Sequence, residues 1–226
     1  MRIRDDGLGW CGLHDRAVAH DHHAVGQEAH NGKVMGLDYM AQASEFAQRY
    51  GLLLHLDGAR VFNAATELGV EVKEIVRHVD SVSICFSKGL GAPVGSLLCG
   101  SGPFIVAAKR WRKMAGGGLR QAGVLAAAID YALDHHVDRL RSDHAHAKRL
   151  AQAVSEIDAI TLISSQTNMV FIELPDEDIG VQLGQFLAER GVNVLGGKRM
   201  RLVTHLDISA ADTDTVIALF REFFVS

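Results

Sequence analysis

The chain reads as an α/β protein, in which strands alternate with helices. Two patterns carry that expectation. Short runs rich in strand formers, such as VSICF at 82–86, are spaced between longer segments whose apolar residues recur at helical intervals. Around residues 140–150 the order shifts toward a smaller α+β arrangement. Two units are therefore expected: residues 1–140 as a partial large domain, atypical over 1–26, and residues 141–226 as a C-terminal small domain. A length of 226 residues with 48% hydrophobic content suffices for a sizeable core.

The elements follow in order. LDYMAQASEFAQRY (37–50) sets Leu37, Met40, Ala43, Phe46, Ala47 and Tyr50 at helical spacing, with Gly51 as the stop. LLLHLD (52–57) is expected as a short buried strand, and AATELGVEVKEI (64–75) as a helix broken at Gly69. SVSICF (81–86) and GSLLCG (95–100) are strands. Helix is expected over 102–114 and 119–152, interrupted by Gly116, Gly117 and Gly118. Then come strands at 159–164 and 168–174, a helix at 178–190, a short strand at 192–195, a strand at 200–206 and a helix at 210–224. Only three convincing strands precede residue 100, fewer than a parallel domain normally sets around its ligand crevice.

Composition excludes several classes. The formal charge is −4, and no basic block with interleaved aromatics points to nucleic acid. No apolar run approaches the roughly 18–20 residues of a membrane span. MRIRDDGLGW has no apolar stretch of the secretory kind. The 3 cysteines have no framework spacing, and Cys85 and Cys99 sit in apolar runs, which suits a reduced, cytoplasmic interior. The 12 histidines form local groups (His20, His22 and His23; His135 and His136; His144 and His146), but none sits in an HExxH frame, so no metal site is expected. The charge run DRLRSD (138–143) reads as a solvated helix face. GLGAPVG (89–95) is spaced GxGxxxG, contains a proline and leads into a strand, so it is not a dinucleotide fingerprint. Nor is it a Walker loop, since Lys88 precedes the glycines.

The chemistry lies in HLDGARVFNA (55–64) and SKGLGAPVG (87–95). Asp57 ends one apolar run and Lys88 follows another, and the carboxyl ends of strands open onto the ligand crevice of an α/β sheet. A lysine amine beside apolar walls can act as a nucleophile toward a carbonyl. Pyridoxal phosphate needs such a lysine and an acidic partner for its pyridinium nitrogen. Small residues after Lys88 leave room for it. Each part has a simpler reading: Asp57 as a helix cap, Arg60 as its ion-pair partner, Lys88 as a surface loop residue. The combination, in this order, favours a cofactor site.

HLDGARVFNAA, DSVSICFSKGLGAPVGSLLCGS, WRKMAGGGLRQAGVLAAA, TNMVFIEL and MRLVTHLDIS resemble the low-specificity L-threonine aldolases, pyridoxal-phosphate enzymes of the aspartate-aminotransferase-like fold, fold type I. The resemblance runs from about residue 30 to the end. It implies that Lys88 carries the cofactor as a Schiff base and that Asp57 faces the ring nitrogen. It further implies that Arg60 and Arg201 clamp the substrate carboxylate, a task suited to the bidentate guanidinium. Lys113 is implied to reach the cofactor phosphate from a neighbouring subunit of a homo-oligomer, a dimer or tetramer. The implied reaction is retro-aldol cleavage of a β-hydroxy-α-amino acid, L-threonine or L-allo-threonine, to glycine and acetaldehyde. Another lyase or an aminotransferase of the same fold is the alternative within enzymes, and a catalytically impaired remnant the alternative outside them.

The match thins toward the N-terminus. The family begins with a long segment that supplies a glycine-rich phosphate loop and a histidine stacked on the ring, and neither can be assigned here. QEAHN (27–31) retains only His30 and Asn31 of a family motif, Gly36 replaces a usual proline, and 7–26 match nothing. A shortened large domain is expected to leave a strand edge and apolar surface open, and hence to associate or dissolve poorly.

Overall fold

The computed structural model describes residues 34–225. The atypical segment 1–26, the QEAHN motif and the grouped His20, His22 and His23 lie outside the described residues. The described residues divide into two compact units: 35–137, and 34 with 138–225.

The first unit holds a three-stranded sheet, β1 (His55–Asp57), β2 (Ser81–Cys85) and β3 (Ser96–Gly100), in the order β1-β2-β3. β1 and β2 run parallel, β2 and β3 antiparallel. Helix α1 (Leu37–Arg49) precedes the sheet and ends before Gly51, whose φ of 63° is left-handed. Helices α2 (Val61–Leu68) and α3 (Val72–Val76) join β1 to β2, and Gly69 closes α2 in the left-handed conformation, φ 66°. Helices α4 (Gly102–Met114) and α5 (Gly123–His135) follow β3. Only β2 is substantially buried: Val82, Ile84 and the following Phe86 are 5%, 9% and 2% exposed. LLLHLD is therefore not a buried strand. Its strand is only His55–Asp57, half-buried at Leu56 and exposed on either side, because β1 is an edge of this sheet. β3, the other edge, is exposed at every residue, and α4 has no buried residue.

The second unit is a meander, β4 (Thr161–Gln166), β5 (Met169–Glu173) and β6 (Arg199–Val203), antiparallel throughout. Helices α6 (Leu140–Ser155), α7 (Glu177–Ala188) and α8 (Ala210–Val225) accompany it. α6 packs on β4, β5 and α8. Ala147, Val154, Ile172, Leu183, Leu187 and Phe220 form the dry centre of its core. No helix among the described residues is long and apolar enough to cross a membrane.

Three further expectations change. The helix expected over 119–152 is two helices, α5 and α6, parted at 136–139. His136 leaves the helix there and its Nδ1–H donates to the Leu90 carbonyl at 2.6 Å. DRLRSD is not a solvated face, since Asp143 is wholly buried and ion-paired with Arg139. No strand forms at 192–195. Gly196 and Gly197 instead lie against α7, so closely that a Cβ on Gly180 would stand 2.1 Å from the Gly197 carbonyl oxygen.

Candidate functional site

Asp57 is exposed at the carboxyl end of β1. Its Oδ1 accepts the Ala59 N–H at 3.1 Å, so the carboxylate is held by the turn that follows it. Gly58 makes that turn possible: a Cβ there would fall 2.7 Å from Val82 Cγ2 and 3.0 Å from the Ser83 carbonyl oxygen, both on β2. Arg60, half-buried, is the N-cap residue of α2 three positions after Asp57.

Lys88 follows the end of β2 by three residues. The backbone around it is pinned at several points. Phe86 N–H donates to the Gly95 carbonyl at 3.0 Å, Ala92 N–H to Phe86 at 2.9 Å, and Gly91 N–H to Lys88 at 2.9 Å. Phe86 and Leu90, each 2% exposed, root the loop on both sides of the lysine. Gly91 needs its freedom, with φ at 67°. Lys88 itself is exposed among the described residues, while its loop is built on buried anchors. β1 and β2 are hydrogen-bonded parallel neighbours, with Asp57 in register with Ser83. The carboxylate and the amine thus emerge from the same end of the same sheet.

Cys85, the last residue of β2, lies beneath this loop with its Sγ 3.3 Å from Ser87 Oγ. Burial alone would raise its thiol. Hydrogen bonds from Ser87 and Ser96, with the Lys88 charge, outweigh burial and hold it below the ordinary cysteine value. His55 lies on β1, two residues before Asp57, with Nδ1 2.9 Å from Ser81 Oγ. Burial lowers its basicity more than the Asp57 charge restores it. Sequence reasoning passed over His55; the available signal was the alternation His-x-Asp, which sets both side chains on one strand face.

Lys113 is exposed in the last turn of α4, ahead of the glycine turn. A Cβ on Gly118 would meet Lys113 Cδ at 2.8 Å and Nζ at 3.3 Å, so the glycines let the chain fold back along the lysine stem. Arg201 belongs to the second unit and lies opposite Phe171, on the solvent side of β6, while its neighbours Met200 and Leu202 enter the core. Among the described residues it has no carboxylate partner, whereas Arg199, two residues earlier on that side, is bound to Glu173. The end of β6 is fixed by Thr204, whose N–H donates to the Asn168 carbonyl at 3.0 Å. Asn168 Nδ2 returns a bond to the Thr204 carbonyl at 2.8 Å, and Thr204 Oγ1 donates to the Asp143 carbonyl at 2.7 Å. The first unit therefore brings Asp57, Arg60 and Lys88 to one region. Lys113 stands at a helix end, and Arg201 on the sheet of the other unit.

The chain is 46% identical over 197 residues to the low specificity L-threonine aldolase of Escherichia coli (strain K12), a match that spans 87% of this chain and 59% of that protein. A structure from Listeria monocytogenes EGD-E, provisionally assigned as an L-allo-threonine aldolase, superimposes with a TM-score of 0.76 at 24% identity, covering 87% of this chain and 59% of that one. Oryza sativa TDC, solved with PLP and tryptamine, superimposes with a TM-score of 0.65 at 16% identity, covering 82% and 44%. At these identities the structural likeness is one of fold. It bears out the expected fold type I, of which this chain carries a part. The family model for beta-eliminating lyases matches residues 22–177. That is more than half of the chain, which belongs to the beta-eliminating lyase family.

Proposed function

We propose that this chain carries the lysine-bearing part of a pyridoxal-phosphate-dependent aldehyde-lyase of the threonine aldolase type. Its reaction is the cleavage of L-threonine or L-allo-threonine between Cα and Cβ to glycine and acetaldehyde. The observation that carries this reading is the emergence of Asp57 and Lys88 from neighbouring parallel strands, in a chain 46% identical over 197 residues to a low specificity L-threonine aldolase.

The residues present suit the cofactor. Lys88 offers an accessible amine on a pinned loop whose neighbours Gly89, Gly91 and Ala92 carry no long side chains, and Asp57 an accessible carboxylate at the end of the parallel neighbour. Pyridoxal phosphate, when bound, supplies an electron sink for the negative charge left at the substrate Cα. Lys88 would hold the cofactor through its side-chain amine. Asp57 would face the ring nitrogen and favour its protonated form. Arg60 and Arg201 grip the substrate carboxylate as bidentate donors and so fix which bond to Cα is cleaved. Lys113 of a neighbouring subunit would reach the cofactor phosphate.

The same reading makes the protein a homo-oligomer, a dimer or tetramer. The exposed apolar residues of the first unit, Val106 at 70% and Leu97 at 46% among them, support that. The same reading gives it a cytoplasmic setting and a role in threonine breakdown and glycine supply. The reaction is tested by supplying pyridoxal phosphate and L-threonine and measuring acetaldehyde and glycine. Equal yields of the two, lost in Lys88→Ala, are expected. Release of ammonia or a keto acid in place of acetaldehyde would assign a different lyase or an aminotransferase, and no turnover would leave a remnant.

A further inference from the structure

Residues on β1 alternate between the two faces of the sheet, so His55 and Asp57 share one face and Leu56 takes the other. In the parallel register His55 lies opposite Ser81 and Asp57 opposite Ser83. The 2.9 Å contact between His55 Nδ1 and Ser81 Oγ ties the ring to β2, and Ser81 is only 8% exposed. On this face β2 continues through Ser83 to Cys85, and β3 opposes them with Gly100, Leu98 and Ser96. The titratable groups of the face, among the described residues, are thus His55, Asp57 and Cys85, with Lys88 in the loop beyond. Asp80, just ahead of β2, has its Oδ2 taken by the Leu54 N–H at 2.7 Å. The one charge that raises the basicity of His55 is that of Asp57.

We propose that His55 is a positioning residue for Asp57, fastened by Ser81 on the same strand face so that it backs the carboxylate and leaves its charge to the group it faces. The proposal rests on the assignment of Asp57 to the cofactor ring nitrogen. A protonated imidazole at this place would compete for the carboxylate as an ion pair, and partial burial works against that state. The arrangement follows the rule that a functional group is oriented by partners behind it, whose loss typically costs about 10–100-fold in affinity at metal sites.

The test has two arms. In the cofactor-free protein, the His55 ring is titrated by NMR in the wild type, Asp57→Asn and Ser81→Ala. Removing the Asp57 charge is expected to move the His55 midpoint to lower pH, and an unmoved midpoint overturns the proposal. In the second arm, pyridoxal phosphate affinity is read by absorbance titration. His55→Phe is expected to bind about tenfold more weakly, while His55→Asn, which can still reach Ser81, recovers most of the loss. Equal affinity in all three proteins contradicts the proposal. Should His55→Phe fail to fold, Ser81→Ala takes its place, with the same expected weakening. If the wild type binds no cofactor, the functional reading fails by itself, and the NMR arm still decides whether His55 and Asp57 are coupled.

Discussion

Asp143 is wholly buried and Arg139, its ion-pair partner four residues earlier, is 22% exposed. Arg139 Nη1 donates to Asp143 Oδ2 at 3.0 Å, and the Asp143 carbonyl takes the Thr204 hydroxyl. Removing one member of such a pair leaves the other charge poorly solvated, so Asp143→Ala is expected to cost about 3 kcal/mol in urea unfolding. A loss under about 0.5 kcal/mol, usual for surface changes, would mean that the pair is solvated after all. The run DRLRSD could not reveal this, because charge alone does not say which face of a helix meets solvent. The strand-end positions of Asp57 and Lys88 were legible for the opposite reason: each ends or follows a strand-forming run. His55 carries a pH consequence. Its folded value lies below the ordinary one, so on acidification the unfolded chain takes up the proton first. Its contribution to stability is complete above about pH 6.5 and falls as pH drops from there through the folded value. Urea melts of the wild type and His55→Gln between neutral and mildly acid pH should show a shallower decline in the variant. Parallel declines would exclude the His55 contribution.

Helix α7 meets the loop after it at close glycine contacts. A Cβ on Gly180 would stand 2.1 Å from a backbone oxygen, and one on Gly184 3.1 Å from Gly196 Cα. In a free helix Gly→Ala is favourable by about 1 kcal/mol. Here Gly180→Ala is expected to destabilise by about 1–3 kcal/mol as overpacking, and Gly184→Ala by less. Thermal melts that rank the two the other way would contradict the packing. This contact also explains why VNVL did not become a strand: Gly196 and Gly197, which follow it, are committed to α7, and Val192 N–H is taken by the Leu187 carbonyl at 2.9 Å. Periodicity located most helices within a few residues because helical spacing is a local property. Strand burial was less legible, since LLLHLD is as apolar as an interior strand but lies at a sheet edge. Which strands flank a run is not written in the run itself.

At the scale of the molecule, the two units differ in how completely they cover themselves. The second closes a core around Leu183, Leu187 and Phe220, all fully buried. A fragment spanning 138–226 is therefore expected to unfold cooperatively on its own, as followed by circular dichroism; a featureless melt would contradict this. In the first unit, β3 is exposed at every residue and α4 has no buried residue. Leu97, Leu98, Val106 and Val124 are among the apolar side chains left open. Concentration-dependent association is expected in sedimentation, reduced in the double variant Leu97→Asp, Val106→Asp, and a monomer at all concentrations would refute it. The chain spans 59% of the length of the Escherichia coli relative, and the fold class was legible over that span because the motifs bracket strand ends. The central claim is that Lys88 holds the cofactor. It is tested most directly by mixing the purified protein with pyridoxal phosphate, reducing with borohydride and mapping the modified lysine by peptide mass spectrometry. Selective, stoichiometric labelling of Lys88, lost in Asp57→Ala, is the predicted result. Labelling scattered over surface lysines, or none, would contradict it.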